Sequence, residues 1–194
     1  FEGNCGHVVP DYGRVLSLGV CGLRKEVDAM PEHTASQRQN KQAFGRALTA
    51  FSRFIRRHAT AGAVTDAIAA NCIHLAEAPP ETFWQALQLT WFTQVFLHAE
   101  ASAAAISFGR LDQYLWPYLE RDLADGVVSI AQAELLLSCF WLKCCEGEES
   151  QNAVLSGCDT DGGNAENLLS RLCLKVTRQL RVWQPSVSVR IGPD

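Results

Sequence analysis

From Thr82 to Ala101 the sequence reads TFWQALQLTWFTQVFLHAEA, with large apolar side chains on most sides of a helical projection. Such a helix offers no face to water, so it belongs at the centre of whatever it folds into. Gln85, Gln88, Gln94, His98 and Glu100 make the run too polar for a bilayer span. The helix therefore demands neighbours on all sides, and some of them are expected to lie outside these 194 residues.

The flanking sequence punctuates cleanly. Pro79-Pro80 ends the preceding helix, because the residue before a proline is pushed out of the αR region. After the central helix, Ala103-Ala104-Ala105 leads into a short β-like run, Ile106-Ser107-Phe108, closed by Gly109, which frees the turn from Cβ sterics. Leu111, Leu115, Tyr118 and Leu119 then recur at helical spacing, predicting one helix to Asp122.

Elsewhere, residues 1–10 read as loop. Helices are expected over 11–30, with Val15, Leu18 and Gly22 toward the core, and over 37–61, with Phe44, Leu48, Phe51, Phe54 and Ile55 on one face. Further helices are expected for the segment carrying Val64, Ile68, Cys72 and Leu75, for 129–145 and for about 165–180. Residues 154–157 and the alternating run 185–191 read as strands. The chain opens on Phe1 and stops at Asp194 in what looks like structured sequence, so both ends read as cut. Many helices with isolated short strands suggest a large α/β enzyme whose strands line an inner barrel.

A net charge of -4 gives no reason to propose nucleic-acid or membrane partners. The basic cluster Arg53, Arg56, Arg57, His58 reads as a solvated helix face. Eight cysteines without a CxxC pair or a signal peptide read as reduced, mainly buried thiols in a cytoplasmic protein. Adjacent Cys144 and Cys145 invite a redox reading, but a helix end holding two inert thiols is preferred. Cys139 and Cys144 have no companion at metal-ligand spacing, which argues against a zinc site. The loop Gly157 to Gly163 lacks the ligand ladder and closing Glu of a calcium loop, so it reads as a turn before a helix. His7 lies in a glycine-flanked loop near Asp11, where an imidazole can polarise a substrate hydroxyl or carboxylate, although composition alone favours a structural role. His98 and Glu100 are expected to be core groups satisfied by backbone.

Four longer strings carry a resemblance. GHVVPDYGRVLSLGVCGL (6–23), APPETFWQALQLTWF (78–92), AAISFGRLDQYLWPYLERDL (104–123) and SGCDTDGGNAENLLSRLCLKVTRQLRVWQPSVSVRI (156–191) resemble the glycyl radical enzymes, in the family's order. That family includes pyruvate formate-lyase, the glycerol and diol dehydratases, choline trimethylamine-lyase and related lyases. The resemblance implies an α/β, predominantly helical fragment of a ten-stranded α/β barrel. Residues 1–194 would then be part of a single pyruvate formate-lyase-like domain, truncated at both ends and drawn from the N-terminal half of a longer chain. The stretch 37–77 matches more loosely and looks shortened.

The resemblance also implies the chemistry. A glycyl radical, installed by a separate S-adenosylmethionine iron–sulfur activase, generates a cysteine thiyl that abstracts a substrate hydrogen. Both the radical glycine and the thiyl cysteine lie beyond the equivalent of Ile191, so the implied catalytic residues in this chain are none, and Cys144-Cys145 is not the family's catalytic pair. The implied activity is cleavage of a C–O, C–N, C–S or C–C bond of a small polar substrate. Formate C-acetyltransferase or decarboxylase action, or a helical scaffold without catalysis, are the alternatives. His7 matches a substrate-touching loop histidine of the dehydratases. Ala104-Ala105 stands where glycerol dehydratase-like members carry His-Ser, which argues against glycerol. His7, Ala104 and Ala105 are the expected substrate-binding positions, no metal site is expected, and a homodimer is implied.

Overall fold

The computed structural model describes residues 7–62, 64–101, 105–147 and 151–192. The chain divides into two compact units, one made of Phe1–Tyr12 with Thr82–Asp194, the other of Gly13–Glu81. Among the described residues, eight helices and two strands run in the order α1 (Tyr12–Asp28), α2 (Ala35–His58), α3 (Asp66–Leu75), α4 (Phe83–Ala101), α5 (Leu111–Tyr114), α6 (Trp116–Ala124), α7 (Ile130–Cys144), β1 (Asn152–Ser156), α8 (Leu168–Leu180) and β2 (Ser186–Arg190).

In the unit 13–81, α1 is kinked at Gly19, whose φ of 61° lies in the left-handed region. A Cβ there would stand 2.5 Å from the Pro79 nitrogen, so the glycine allows α1 to cross the chain at Ala78-Pro79. The kink breaks the expected register. Leu16 and Val20 are buried, while Val15 and Leu18 are only half-buried. Helix α2 opens with a reciprocal capping box, in which Thr34 and Gln37 each bond the other's backbone N–H. Phe51 and Ile55 are buried as the period requires, but Phe44 is 50% exposed. It was expected on the core face. Leu48 and Phe54, expected on the same face, are only half-buried.

In the other unit, α4 is the centre that its composition requires. None of residues 83–98 is exposed, and Phe83, Ala86 and Leu89 are fully buried. Eight of these sixteen residues, Trp84, Trp91, Val95 and Phe96 among them, are only half-buried. The large apolar side chains left open lie elsewhere, among them Leu135 and Leu142 on α7 and Trp183. Phe140 joins the layers, with its ring 5.1 Å from Phe108 and 6.0 Å from Trp91. Fully buried side chains of this size each contribute roughly 1.5–3 kcal/mol by leaving water. Trp141 is also fully buried, and its indole N–H finds the Thr177 hydroxyl at 2.9 Å.

The single helix expected from 111 to 122 is broken in two at Leu115. Pro117 has no N–H to return to the Gln113 carbonyl, so α5 closes after one turn and α6 begins with the proline in its first turn. Helix α8 starts later than expected, at Leu168. Asn167 caps it, and its side chain accepts from the Ser170 N–H at 3.0 Å.

Strands β1 and β2 pair in parallel, Asn152 opposite Ser186 and Ser156 opposite Arg190. Two further segments extend the array. Gly109 bridges Ala153 and Val8 bridges Ile106, both in parallel. The spatial order is thus residue 8, residues 105–109, β1, β2. The N-terminal segment, read as loop, supplies this outer position.

Candidate functional site: the open face of the parallel strands

Burial separates the two faces of these strands. Ile106, Phe108, Ala153 and Leu155 are between 0 and 1% exposed and point into the helices. Alternation turns Ala105 and Ser107, Asn152 and Val154, and Ser186 and Ser188 to the opposite face, where all are half-buried or exposed. That face carries small and polar groups. Asn152 organises it, its Nδ2 lying 3.1 Å from the Ser186 and Ser188 hydroxyl oxygens and 3.2 Å from the Ser186 carbonyl. The Ser186 hydroxyl in turn donates to the Gln151 carbonyl at 3.2 Å. The Asn152 Oδ1 acceptor and the Ser188 and Ser107 hydroxyls are left to meet a polar molecule from the open side.

The junction that builds this face is the segment 106–115. The Phe108 N–H donates to the Asn152 carbonyl and the Gly109 carbonyl accepts from the Val154 N–H, both at 2.7 Å. Two residues therefore face one, a β-bulge with Gly109 at φ 62°. A Cβ on Gly109 would sit 2.6 Å from Val9 Cγ1. Arg110 then spans the turn beyond β1, donating to the Ser156 carbonyl at 3.0 Å and the Cys158 carbonyl at 2.8 Å. Asp112 is fully buried. Its Oδ2 accepts from the Ser156 N–H at 2.7 Å and the Ser170 hydroxyl at 2.5 Å, and its carbonyl accepts from Asn167. Charge-assisted bonds of this kind are the stronger ones. Ser156 is held with φ at 60°, where the strand ends. The charged residues of this segment thus fix backbone rather than face a ligand.

Of the expected substrate-facing positions, the structure brings two together. The His7 N–H donates to the Ala105 carbonyl at 2.8 Å, and the His7 side chain is exposed. Ala104 lies outside the described residues. Asn152, Ser186 and Ser188 were missed, because only strand register reveals that they share a face; the alternation in 185–191 was the available signal.

The remaining candidates resolve into structural roles. Tyr12 stacks on Tyr114, centroids 5.4 Å apart, and its hydroxyl donates to Gln94 Oε1. Gln94 Nε2 donates to the Ile106 carbonyl at 2.7 Å and lies 3.1 Å from His98 Nε2. His98 thus has a side-chain partner in Gln94, and Glu100, expected in the core, is exposed. Burial pushes the Cys144 and Cys173 thiols well above their ordinary range, so both stay protonated and unreactive. Cys145 donates to the Gln184 carbonyl at 3.2 Å. Asp159 spends its Oδ1 on the N–H groups of Asp161 and Gly163, which is the turn expected there. Among the described residues no three His, Cys, Asp or Glu groups converge as metal ligands, and no helix is long and apolar enough to cross a membrane.

The sequence model of the pyruvate formate lyase-like family matches residues 1–194, and the chain belongs to that family. A probable dehydratase, YbiW, of Escherichia coli K12 is 34% identical over 233 aligned positions, covering 97% of this chain and 29% of the relative. The alignment is longer than the chain, so that relative carries residues this one lacks. Isethionate sulfite-lyase of Nitratidesulfovibrio vulgaris is 31% identical, covering 94% of this chain and 27% of its own. Among solved structures, one describing 1,2-propanediol dehydration in Roseburia inulinivorans superposes with a TM-score of 0.79 at 27% identity, over 96% of this chain and 28% of that one. A glycyl radical enzyme from Archaeoglobus fulgidus gives 0.77 at 28% identity, over 96% and 28%. The chain spans less than a third of the length of these relatives.

Proposed function

We propose that this chain is part of a glycyl radical enzyme of the dehydratase and lyase type, and that the open face of its strands forms one wall of the substrate chamber. On this reading both compact units belong to one pyruvate formate-lyase-like domain, and the four parallel segments are a portion of an α/β barrel whose interior they face. The observation that carries it is the Asn152 amide, held across β2 by Ser186 and Ser188 on a face that the helices leave uncovered.

The chain's own residues bind and orient. Asn152 Oδ1 accepts from a substrate hydroxyl or ammonium, Ser188 and Ser107 donate to an oxygen, and His7 reaches the same face from the outer segment. Ala104 and Ala105 leave room without polar groups. A substrate hydroxyl directed at them would lose a hydrogen bond, at a cost of about 1–3 kcal/mol. The glycyl radical, the thiyl cysteine and the activase that installs the radical are assigned to residues and proteins other than these. That chemistry moves hydrogen atoms, so the wall need only position the substrate and keep water out.

The test uses the full-length protein encoded by the source gene, prepared anaerobically with its activase and assayed on diols, hydroxysulfonates and hydroxyproline. Wild type should show the glycyl radical by electron paramagnetic resonance and turn over one class. Asn152→Ala should keep the radical signal and lose about tenfold or more in kcat/KM on that class. Unchanged kinetics in the variant would remove Asn152 from the chamber, and absence of the radical in wild type would refute the enzyme reading.

A further inference from the structure

Within the unit 13–81, α1 and α2 enclose a groove of about 770 Å3. Six cationic side chains line it against two carboxylates, in a chain whose net charge is -4. The carboxylates are already engaged. Asp28 pairs with Arg24 at 3.1 Å, and Glu32 pairs with Lys41 at 2.6 Å, a contact that holds the Glu32 carboxyl below its ordinary range. Arg24 also donates to the Gly45 carbonyl and the Thr49 hydroxyl, both at 3.0 Å, which ties the two helices together. Arg38 donates to the Glu32 carbonyl at 3.1 Å, and its charge adds to that of Lys41 in holding the Glu32 carboxyl low. Arg46, Arg53 and Arg57 are exposed and form no ion pair among the described residues. Arg56, on the other flank of α2, is paired with Glu77. The cluster read as a solvated helix face is exposed at its arginines and divides by pairing, Arg56 being compensated by Glu77 while Arg53 and Arg57 are not.

We infer that this groove is a docking surface for an acidic polypeptide segment. At about 1.5 Å per residue, Arg38 to Arg57 extends over about 28 Å, too far for one small anion to engage all four cations. Successive cations stand about 6 to 12 Å apart along α2. A nucleic-acid strand carries a phosphate every ~3.4 Å and favours aromatic rings for its bases, whereas the groove offers sparse cations and one ring, Phe54. Acidic side chains spaced along a peptide match the arginines, and Ala50 with half-buried Phe54 gives the peptide an apolar floor. Unpaired cations facing one side raise encounter rates with such a partner.

The test is fluorescence anisotropy of a labelled sixteen-residue Glu/Ala peptide titrated with the purified full-length protein encoded by the source gene at low salt. Binding should weaken as salt rises, and R46A/R53A/R57A should weaken it about tenfold or more with the far-ultraviolet circular dichroism unchanged. Should that variant misfold, Arg53→Glu alone should give at least a threefold loss, whereas Arg56→Ala should have no effect. Equal binding of a Gln/Ala peptide, tighter binding of an oligothymidylate of equal charge, or indifference to both arginine variants would overturn the proposal.

Discussion

Replacing Asp112 isolates the contact on which the strand face depends. In Asp112→Ala the Ser156 N–H and the Ser170 hydroxyl lose a buried carboxylate acceptor held at 2.7 and 2.5 Å. Hydrogen bonds to a charged group contribute about 1.5–3 kcal/mol each, so the gross loss is roughly 3–6 kcal/mol. Part is returned, because Asp112 Oδ1 is buried with no partner and its desolvation cost disappears with the side chain. A net destabilisation of about 2–4 kcal/mol follows. Asp112→Asn keeps an oxygen acceptor in place and should cost about 1–2 kcal/mol, and Ser170→Ala, which removes one of the two bonds, about 1.5 kcal/mol. Urea unfolding followed by tryptophan fluorescence gives these values directly, and the Asp112→Ala/Ser170→Ala double variant should be less destabilised than the sum of its parts. If Asp112→Ala costs under 1 kcal/mol, or the Asn variant costs as much as Ala, the charged-clamp argument is wrong.

Other outcomes follow from the same structure. Gly19→Ala places a Cβ against the Pro79 backbone, which cannot yield, and should cost more than about 3 kcal/mol or prevent folding. Gly109→Ala meets only the tip of an exposed Val9 and should cost about 1–2 kcal/mol, mainly for its left-handed φ. Equal losses in thermal unfolding would contradict this ranking. Burial raises the Cys144 and Cys173 thiols in the folded chain, so the unfolded chain gives up these protons first as pH climbs. Their stabilising contribution is whole below the ordinary thiol pKa of about 8.5 and declines above it, by up to about 1.4 kcal/mol per pH unit for each thiol. Iodoacetamide at pH 8.5 should accordingly label exposed Cys139 and spare Cys144 and Cys173 until denaturant is added.

Local signals reached a definite part of this structure. The helix apolar on all sides, the Pro79-Pro80 stop and the Gly109 turn are fixed by near neighbours in sequence, and each is where residue chemistry puts it. Phe44 and the α1 face went astray because their surroundings come from other helices, and the Gly19 kink resets the helical phase. Pro117 was a readable signal for the broken helix that periodicity overrode. The site was least legible. Asn152 looks ordinary in Gln-Asn-Ala-Val, and only pairing with a strand 34 residues away sets it beside two serines. Nothing local marks Arg110 and Asp112, and only the fold shows them holding the Ser156 turn.

The account rests most heavily on the open strand face belonging to a larger radical enzyme, and the direct measurement is the nucleotide sequence of the source gene on both sides of these 194 codons. The account predicts one uninterrupted reading frame that adds a cysteine-bearing loop and, near its end, a glycine loop able to carry the radical. Stop codons closing the frame at this length would contradict it.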